Sequence, residues 1–179
     1  MKHILSKSVV LIGLMGTGKS AVGKRLSKNL GVSFSDSDEK IEQFYGNSIA
    51  QIFKDSGEAN FRNLEEKVFC DFFESGPQII SSGGGTILSA RSRKLISNRS
   101  YSIWLKSDEE KILSRINKNN DRPLLSTSNT REILNLLLKE RRKFYCKADF
   151  HLENGEKSIE NLAIEITEKL IREKVLTHE

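Results

Sequence analysis

Gly13-Leu14-Met15-Gly16-Thr17-Gly18-Lys19-Ser20 follows directly on the apolar run Val9-Val10-Leu11-Ile12. It precedes a segment with apolar residues at Ala21, Val22, Leu26 and Leu30, closed by Gly31. The pattern G-x-x-x-x-G-K-S between a buried strand and a helix is a phosphate-binding loop. Its glycines reach backbone angles that other residues avoid, so successive N–H groups can converge on an anion. The free N–H groups and partial positive charge at the start of the next helix add to that attraction. Lys19 is placed to reach the β- and γ-phosphates of a nucleotide, and the Ser20 hydroxyl to hold Mg²⁺. A glycine turn capping an ordinary helix is the plainer reading. The four fixed positions would arise by chance in roughly one chain in a hundred of this size, and the preceding strand makes chance a poorer explanation still.

The 179 residues suit one domain with a sizeable core, and 37% of them are hydrophobic. No apolar run is long enough to cross a bilayer, and the first residues, Met1 to Lys7, lack the apolar centre of a signal peptide. Cys70 and Cys146 have no metal-ligand spacing, so a reduced cytoplasmic protein is expected, with either thiol acting as a small hydrophobe. A net charge of +5 and a pI near 9.2 suit anionic ligands. The basic residues are scattered among acidic ones, with no basic run or aromatic-basic strip of the kind that binds nucleic acid.

Apolar runs and turn signals predict five strands, at about 8–12, 32–35, 78–82, 101–105 and 149–152. Helices are expected at about 19–30, 39–45, 48–54, 58–74, 90–97, 108–116, 130–145 and 158–172, with Gly46 and Gly57 as breaks and Ser107 with Glu110 as a capping box. Strands alternating with helices give an α/β fold with a parallel sheet covered on both faces. Ligands of such sheets bind beyond the carboxyl ends of the strands. There lie the phosphate loop, Asp36-Ser37-Asp38 and Gly83-Gly84-Gly85. The polar segment 117–129 with Arg122-Pro123 reads as a mobile surface lid.

A GTPase would need N-K-x-D, and Asn117-Lys118-Asn119-Asn120 has Asn where Asp is required. A motor ATPase would place a carboxylate after a second apolar strand, whereas Ile79-Ile80 runs into serines and glycines. A compact small-molecule kinase remains.

The phosphate loop, Asp36-Ser37-Asp38, Phe61-Arg62 with Glu65-Glu66, Gly83-Gly84-Gly85, Arg122-Pro123-Leu124-Leu125, and Glu140-Arg141 with Tyr145 together resemble the shikimate kinase family over nearly the whole chain. The resemblance implies a three-layer P-loop NTPase fold like that of nucleoside monophosphate kinases, with a five-stranded parallel sheet. It implies ATP as phosphoryl donor, one Mg²⁺, shikimate as acceptor and a monomer acting in the cytoplasm. Gly16, Thr17, Gly18, Lys19, Ser20 and Ala21 would hold ATP, joined by Arg122 and, in the adenine loop at 153–158, Lys157. Ser20 and Asp36 would hold the metal. Asp38 would bond the reacting hydroxyl and accept its proton, with Lys19 and Arg122 meeting transition-state charge. Arg62 and Arg141 would clamp the substrate carboxylate, and Gly83, Gly84 and Gly85 would let the backbone approach it.

Each role has a plainer counterpart. The aspartates would only cap a helix, the arginines would pair with Glu65, Glu66 or Glu140 on the surface, and the glycines would form a flexible turn. Gluconate kinase, which shares the phosphate loop, is the rival enzyme, and an inactive nucleotide-binding regulator the rival from another class.

Overall fold

A computed structural model describes residues 3–118 and 129–178. Arg122, and with it all but the ends of the 117–129 segment, lies outside the described residues. The elements run β1 (His3–Leu5), β2 (Ser8–Ile12), α1 (Lys19–Leu30), β3 (Phe34–Asp36), α2 (Ser37–Tyr45), α3 (Ile49–Asp71), β4 (Ile79–Ser81), α4 (Ala90–Arg99), β5 (Ser100–Lys106), α5 (Glu109–Lys118), α6 (Thr130–Tyr145), β6 (Phe150–Glu153), α7 (Ile159–Arg172) and β7 (Leu176–His178).

Five strands form a parallel sheet in the order β3-β4-β2-β5-β6. Strand β2 lies at its centre, and all five of its residues are buried. Side chains alternate across a strand. Val9 and Leu11 therefore enter one core with Val22 and Leu26 of α1 and Ile166 of α7. Val10 and Ile12 enter the opposite core with Phe69 of α3, Leu134 and Tyr145 of α6, and Trp104. A smaller cluster of Ile41, Ile49, Ile52 and Phe61 ties α2 to α3. Trp104, Phe61, Phe69, Phe72 and Phe73 are thus core residues. Helix α1 sits so close to the sheet that a Cβ on Gly23 would lie 2.5 Å from the Phe34 ring.

Helix α1 and helix α6 span the residues that periodicity predicts. Three features differ from the expectations. The second strand is Phe34–Asp36 rather than 32–35, because the Val32 N–H is spent on the Ser27 carbonyl, closing α1. The helices expected at 48–54 and 58–74 lie within α3 on either side of Gly57, whose non-helical φ 75° and ψ 167° make the expected break, and the second tightens into a 3₁₀ turn at Phe72–Glu74. The capping box does not form: α5 starts at Glu109, the Asp108 carbonyl takes the Ile112 N–H, and the Ser107 hydroxyl has no partner among the described residues. Finally, β1 and β7 pair as a two-stranded antiparallel ribbon, with Leu5 opposite Leu176.

Registry positions the site. Asp36 at the end of β3 is level with Ser81 at the end of β4, and Leu11 of β2 is level with Ser81 from the other side. The phosphate loop, the Asp36–Asp38 turn and the triple glycine therefore leave the sheet from the same edge.

Candidate active site

The loop between β2 and α1 bends through Gly16 (φ 75°) and Gly18 (φ 95°), left-handed angles that suit glycine. Lys19 opens α1 and is 7% exposed. Its ammonium donates to the carbonyls of Gly13 (2.9 Å) and Leu14 (2.8 Å), which ties the loop back on itself. The Thr17 hydroxyl faces away from the cavity and donates to the Leu14 carbonyl. In front of the loop is an open cavity of about 850 Å³ lined by Gly16, Gly18, Lys19, Ser20, Ala21, Asp36 and Asp38, among others.

Asp36 does two things at once. Its Oδ1 accepts the backbone N–H groups of Asp38 (3.0 Å) and Glu39 (3.3 Å), capping α2. Its Oδ2 accepts the Ser20 hydroxyl at 2.6 Å. The capping role and the role beside Ser20 therefore use different oxygens and do not compete. No group of three or more His, Cys, Asp or Glu gathers to hold a metal among the described residues. Ser20 and Asp36 form a hydrogen-bonded oxygen pair on the wall of the phosphate cavity, which Asp38, Ser81 and Ser82 also line.

A second cleft, enclosing about 430 Å³ with its mouth, opens next to the first. Arg62 and Glu65 from α3, Arg141 from α6, Gly84, Gly85, Asp38 and Met15 line it, with Ile49, Phe53 and Phe61 as an apolar wall. Arg141 is 1% exposed; it donates to the Gly84 carbonyl at 3.0 Å. Tyr145 donates to the same carbonyl at 2.9 Å. Burial pushes the Tyr145 phenol up to about 12. Arg62 donates to Glu65 at 2.8 Å and, more weakly, to Glu58 at 3.3 Å. The Nε atoms of Arg62 and Arg141 are both buried with no hydrogen-bond partner among the described residues. Two guanidinium groups each with an idle buried donor form a receptor for a carboxylate.

The glycines have separate reasons to be glycine, and none of the three has a positive φ. The Gly83 N–H is spent on the Ser37 hydroxyl at 2.6 Å. A Cβ there would fall less than 3.0 Å from both Glu65 Oε1 and Asp38 Oδ1. A Cβ on Gly85 would fall less than 3.0 Å from the Arg62 guanidinium. These positions make room for the charged side chains of α2 and α3.

Asp38, Met15 and Gly84 belong to the walls of both clefts. The chain thus brings Asp36, Asp38, Lys19 and Ser20 together with Arg62 and Arg141, as read from the motifs. It does not bring Lys157, whose ammonium pairs with Glu165 at 2.5 Å, half-exposed. Asn154 occupies the neighbouring ground instead: it is 4% exposed and donates to the Thr17 carbonyl at 2.7 Å, beside Gly18. Two further residues carried no assigned role in the sequence. Arg115 on α5 lines the phosphate cavity and donates to the Gly16 carbonyl at 3.0 Å. Glu65 is 2% exposed, accepts from Arg62 and from the Thr86 hydroxyl, and is pushed above the usual carboxylate range by burial, against the pull of Arg62.

Comparison with known proteins gives a consistent result. The family model described as shikimate kinase matches residues 15–171. The shikimate kinase of Cereibacter sphaeroides is 40% identical over 166 residues, 93% of this chain and 83% of the relative. Among solved structures, shikimate kinase from Acinetobacter baumannii in complex with shikimate superposes with a TM-score of 0.90 at 32% identity, covering 94% of each chain. The Aquifex aeolicus shikimate kinase superposes with a TM-score of 0.77 at 35% identity over 94% of this chain and 98% of the other.

Proposed function

The chain belongs to the shikimate kinase family, and from that premise we propose how its own residues carry out the reaction. It is a phosphotransferase that uses ATP to phosphorylate shikimate in aromatic biosynthesis; the acceptor we assign is the 3-hydroxyl. The observation that supports the residue assignment best is the shared wall. Asp38 borders the cavity that holds Lys19 and the cleft that holds Arg62 and Arg141.

ATP lies with its phosphates against the loop N–H groups of Gly16, Gly18, Lys19, Ser20 and Ala21. Arg62 and Arg141 hold the shikimate carboxylate through their idle Nε–H groups and fix the ring between the apolar wall and Gly84. That anchoring brings one hydroxyl to Asp38. The hydroxyl oxygen attacks the γ-phosphorus, its proton passes to Asp38, and ADP leaves with the bridging oxygen. Lys19 leaves its loop carbonyls for the phosphate oxygens and stabilises charge as the bond to ADP breaks. Mg²⁺, a hard cation that favours oxygen ligands, fits the Ser20 hydroxyl and the Asp36 carboxylate, and when bound it neutralises phosphate charge. Arg122 is assigned to the same task. We assign a monomer as the working unit. We assign the cytoplasm as the site of action; no helix among the described residues is long and apolar enough to cross a membrane.

A coupled assay of ADP release, run with shikimate and with gluconate, tests the reading. Shikimate-dependent release is expected, and preference for gluconate would overturn it.

A further inference from the structure

The carbonyls of the phosphate loop are held by side chains. The Lys19 ammonium takes those of Gly13 and Leu14, and the exposed Arg115 guanidinium takes that of Gly16. The Thr17 carbonyl is taken by the Asn154 amide at 2.7 Å, from 137 positions further along the chain. In a trans peptide, as here, the C=O of one residue and the N–H of the next point in opposite directions. The group that holds the Thr17 carbonyl therefore also aims the Gly18 N–H. Gly18 lines the phosphate cavity. Thr17 lines a different cleft, with Leu14 and Trp104, on the other side of the loop. Drawing the Thr17 carbonyl back to Asn154 thus turns the Gly18 N–H toward the phosphates.

Asn154 is fixed by the sheet and not by a loop. It follows directly on β6, where Glu153 is in register with Lys106 of β5, and its own N–H donates to the Lys106 carbonyl at 2.8 Å. At 4% exposure its bond to Thr17 meets little competition from water, and it offers almost no surface to a nucleotide base. Its amide nitrogen would lie 3.5 Å from a Cβ on Gly18, against the glycine whose N–H it aims. A buried carbonyl needs a partner in any case. Here the carbonyl belongs to the peptide that leads into α1, and the start of that helix is where an anion binds.

We propose that Asn154 is a positioning residue for the nucleotide phosphates: by holding the Thr17 carbonyl it keeps the Gly18 N–H aimed into the cavity before ATP arrives. The proposal rests on assigning that cavity to the ATP phosphates. A donor already aimed need not be ordered on binding, so its loss appears as weaker nucleotide affinity. The segment 153–158 acts in this way on the phosphates through Asn154, while Lys157 is turned to Glu165.

Asn154→Ala removes the donor. Asn154→Asp keeps the shape and sets a carboxylate oxygen against the Thr17 carbonyl. Calorimetric titration with ADP should show Kd raised about 2- to 12-fold for Asn154→Ala, the worth of one net hydrogen bond, and more for Asn154→Asp. The KM for shikimate should not move. The kcat/KM for ATP and for GTP should fall by the same factor, since the two share their phosphates and differ in the base. In the wild-type protein the Gly18 amide proton resonance should shift downfield when ADP is added. An unmoved resonance, or ADP affinity unchanged in both variants, would overturn the proposal and leave the enzyme assignment standing. So would a change in the ATP-to-GTP ratio as large as the loss of ADP affinity, which would make Asn154 a reader of the base. An equal rise in the shikimate KM would also overturn it, as the mark of a general prop of the fold. No binding of ADP by the wild-type protein would overturn both.

Discussion

Replacing Gly85 by alanine should damage shikimate binding while leaving the nucleotide site alone. Gly85 sits at φ −91°, ψ −15°, where alanine is as comfortable as glycine, so backbone strain is not the cause of any loss. The added methyl would stand less than 3.0 Å from Arg62 Nη1 and Cζ, and the guanidinium must move. A charge-assisted hydrogen bond is worth about 1.5–3 kcal/mol. Losing one between Arg62 and the substrate carboxylate would raise the shikimate KM by about 10- to 150-fold. Gly84 differs in kind: the nearest protein atom to its Cβ would be the Met15 nitrogen at 3.4 Å, so any loss on Gly84→Ala would come from the methyl meeting the substrate ring and not from a displaced Arg62. The assay is coupled ADP release with each substrate varied in turn, and circular dichroism to confirm folding. In an Arg62→Ala background Gly85→Ala should add little, since both changes act on one interaction. An additive loss in the Arg62→Ala background, or equal rises in the KM of ATP and shikimate for Gly85→Ala, would refute the reasoning.

Lys19→Ala should lower kcat by about 10²–10³-fold, the range for losing one preorganised group at the transition state; near-normal turnover by a folded variant would contradict its role. Asp36→Asn keeps a capping oxygen for α2, so stability in urea should change little, whereas Asp36→Ala should cost about 1 kcal/mol. Both variants should need more Mg²⁺ for half-maximal activity, and unchanged Mg²⁺ dependence would remove Asp36 from the metal site. Tyr145 titrates near 12 in the folded protein against about 10 unfolded, so the folded state holds its proton more tightly. Its contribution is complete below pH 10 and is lost as pH rises from 10 to 12. Tyr145→Phe should therefore lose less stability than wild type over that interval, by up to about 2–3 kcal/mol. Parallel urea-unfolding curves for the two proteins at pH 9 and 11.5 would show otherwise.

Much of the sheet was legible because each buried strand carries its own apolar run and each helix its own 3.6-residue stripe. The ribbon of β1 and β7 was not, because three-residue strands from opposite ends of the chain have no local period to reveal that they pair. The phosphate loop could be read from its glycines and lysine alone. Arg115 could have been found from its helix face, since it lies between Ile112 and Ile116, the residues that α5 packs against Gly16. Glu65 left a similar trace: it interrupts the stripe running from Phe61 to Phe69 and Phe72, where a charge is costly without a partner. What no local pattern could convey is that Gly83 and Gly85 are small for the sake of Glu65, Asp38 and Arg62, because that depends on how α2 and α3 meet the loop after β4.

The central claim is that the acid cleft and the phosphate cavity form one reaction site joined at Asp38. A crystal structure of this protein with shikimate and ADP tests it most directly. The carboxylate should lie within hydrogen-bond reach of both Arg62 and Arg141, and a ring hydroxyl should meet Asp38 on the side facing Lys19. Shikimate seated away from those arginines, or with its hydroxyls turned from Asp38, would contradict the account.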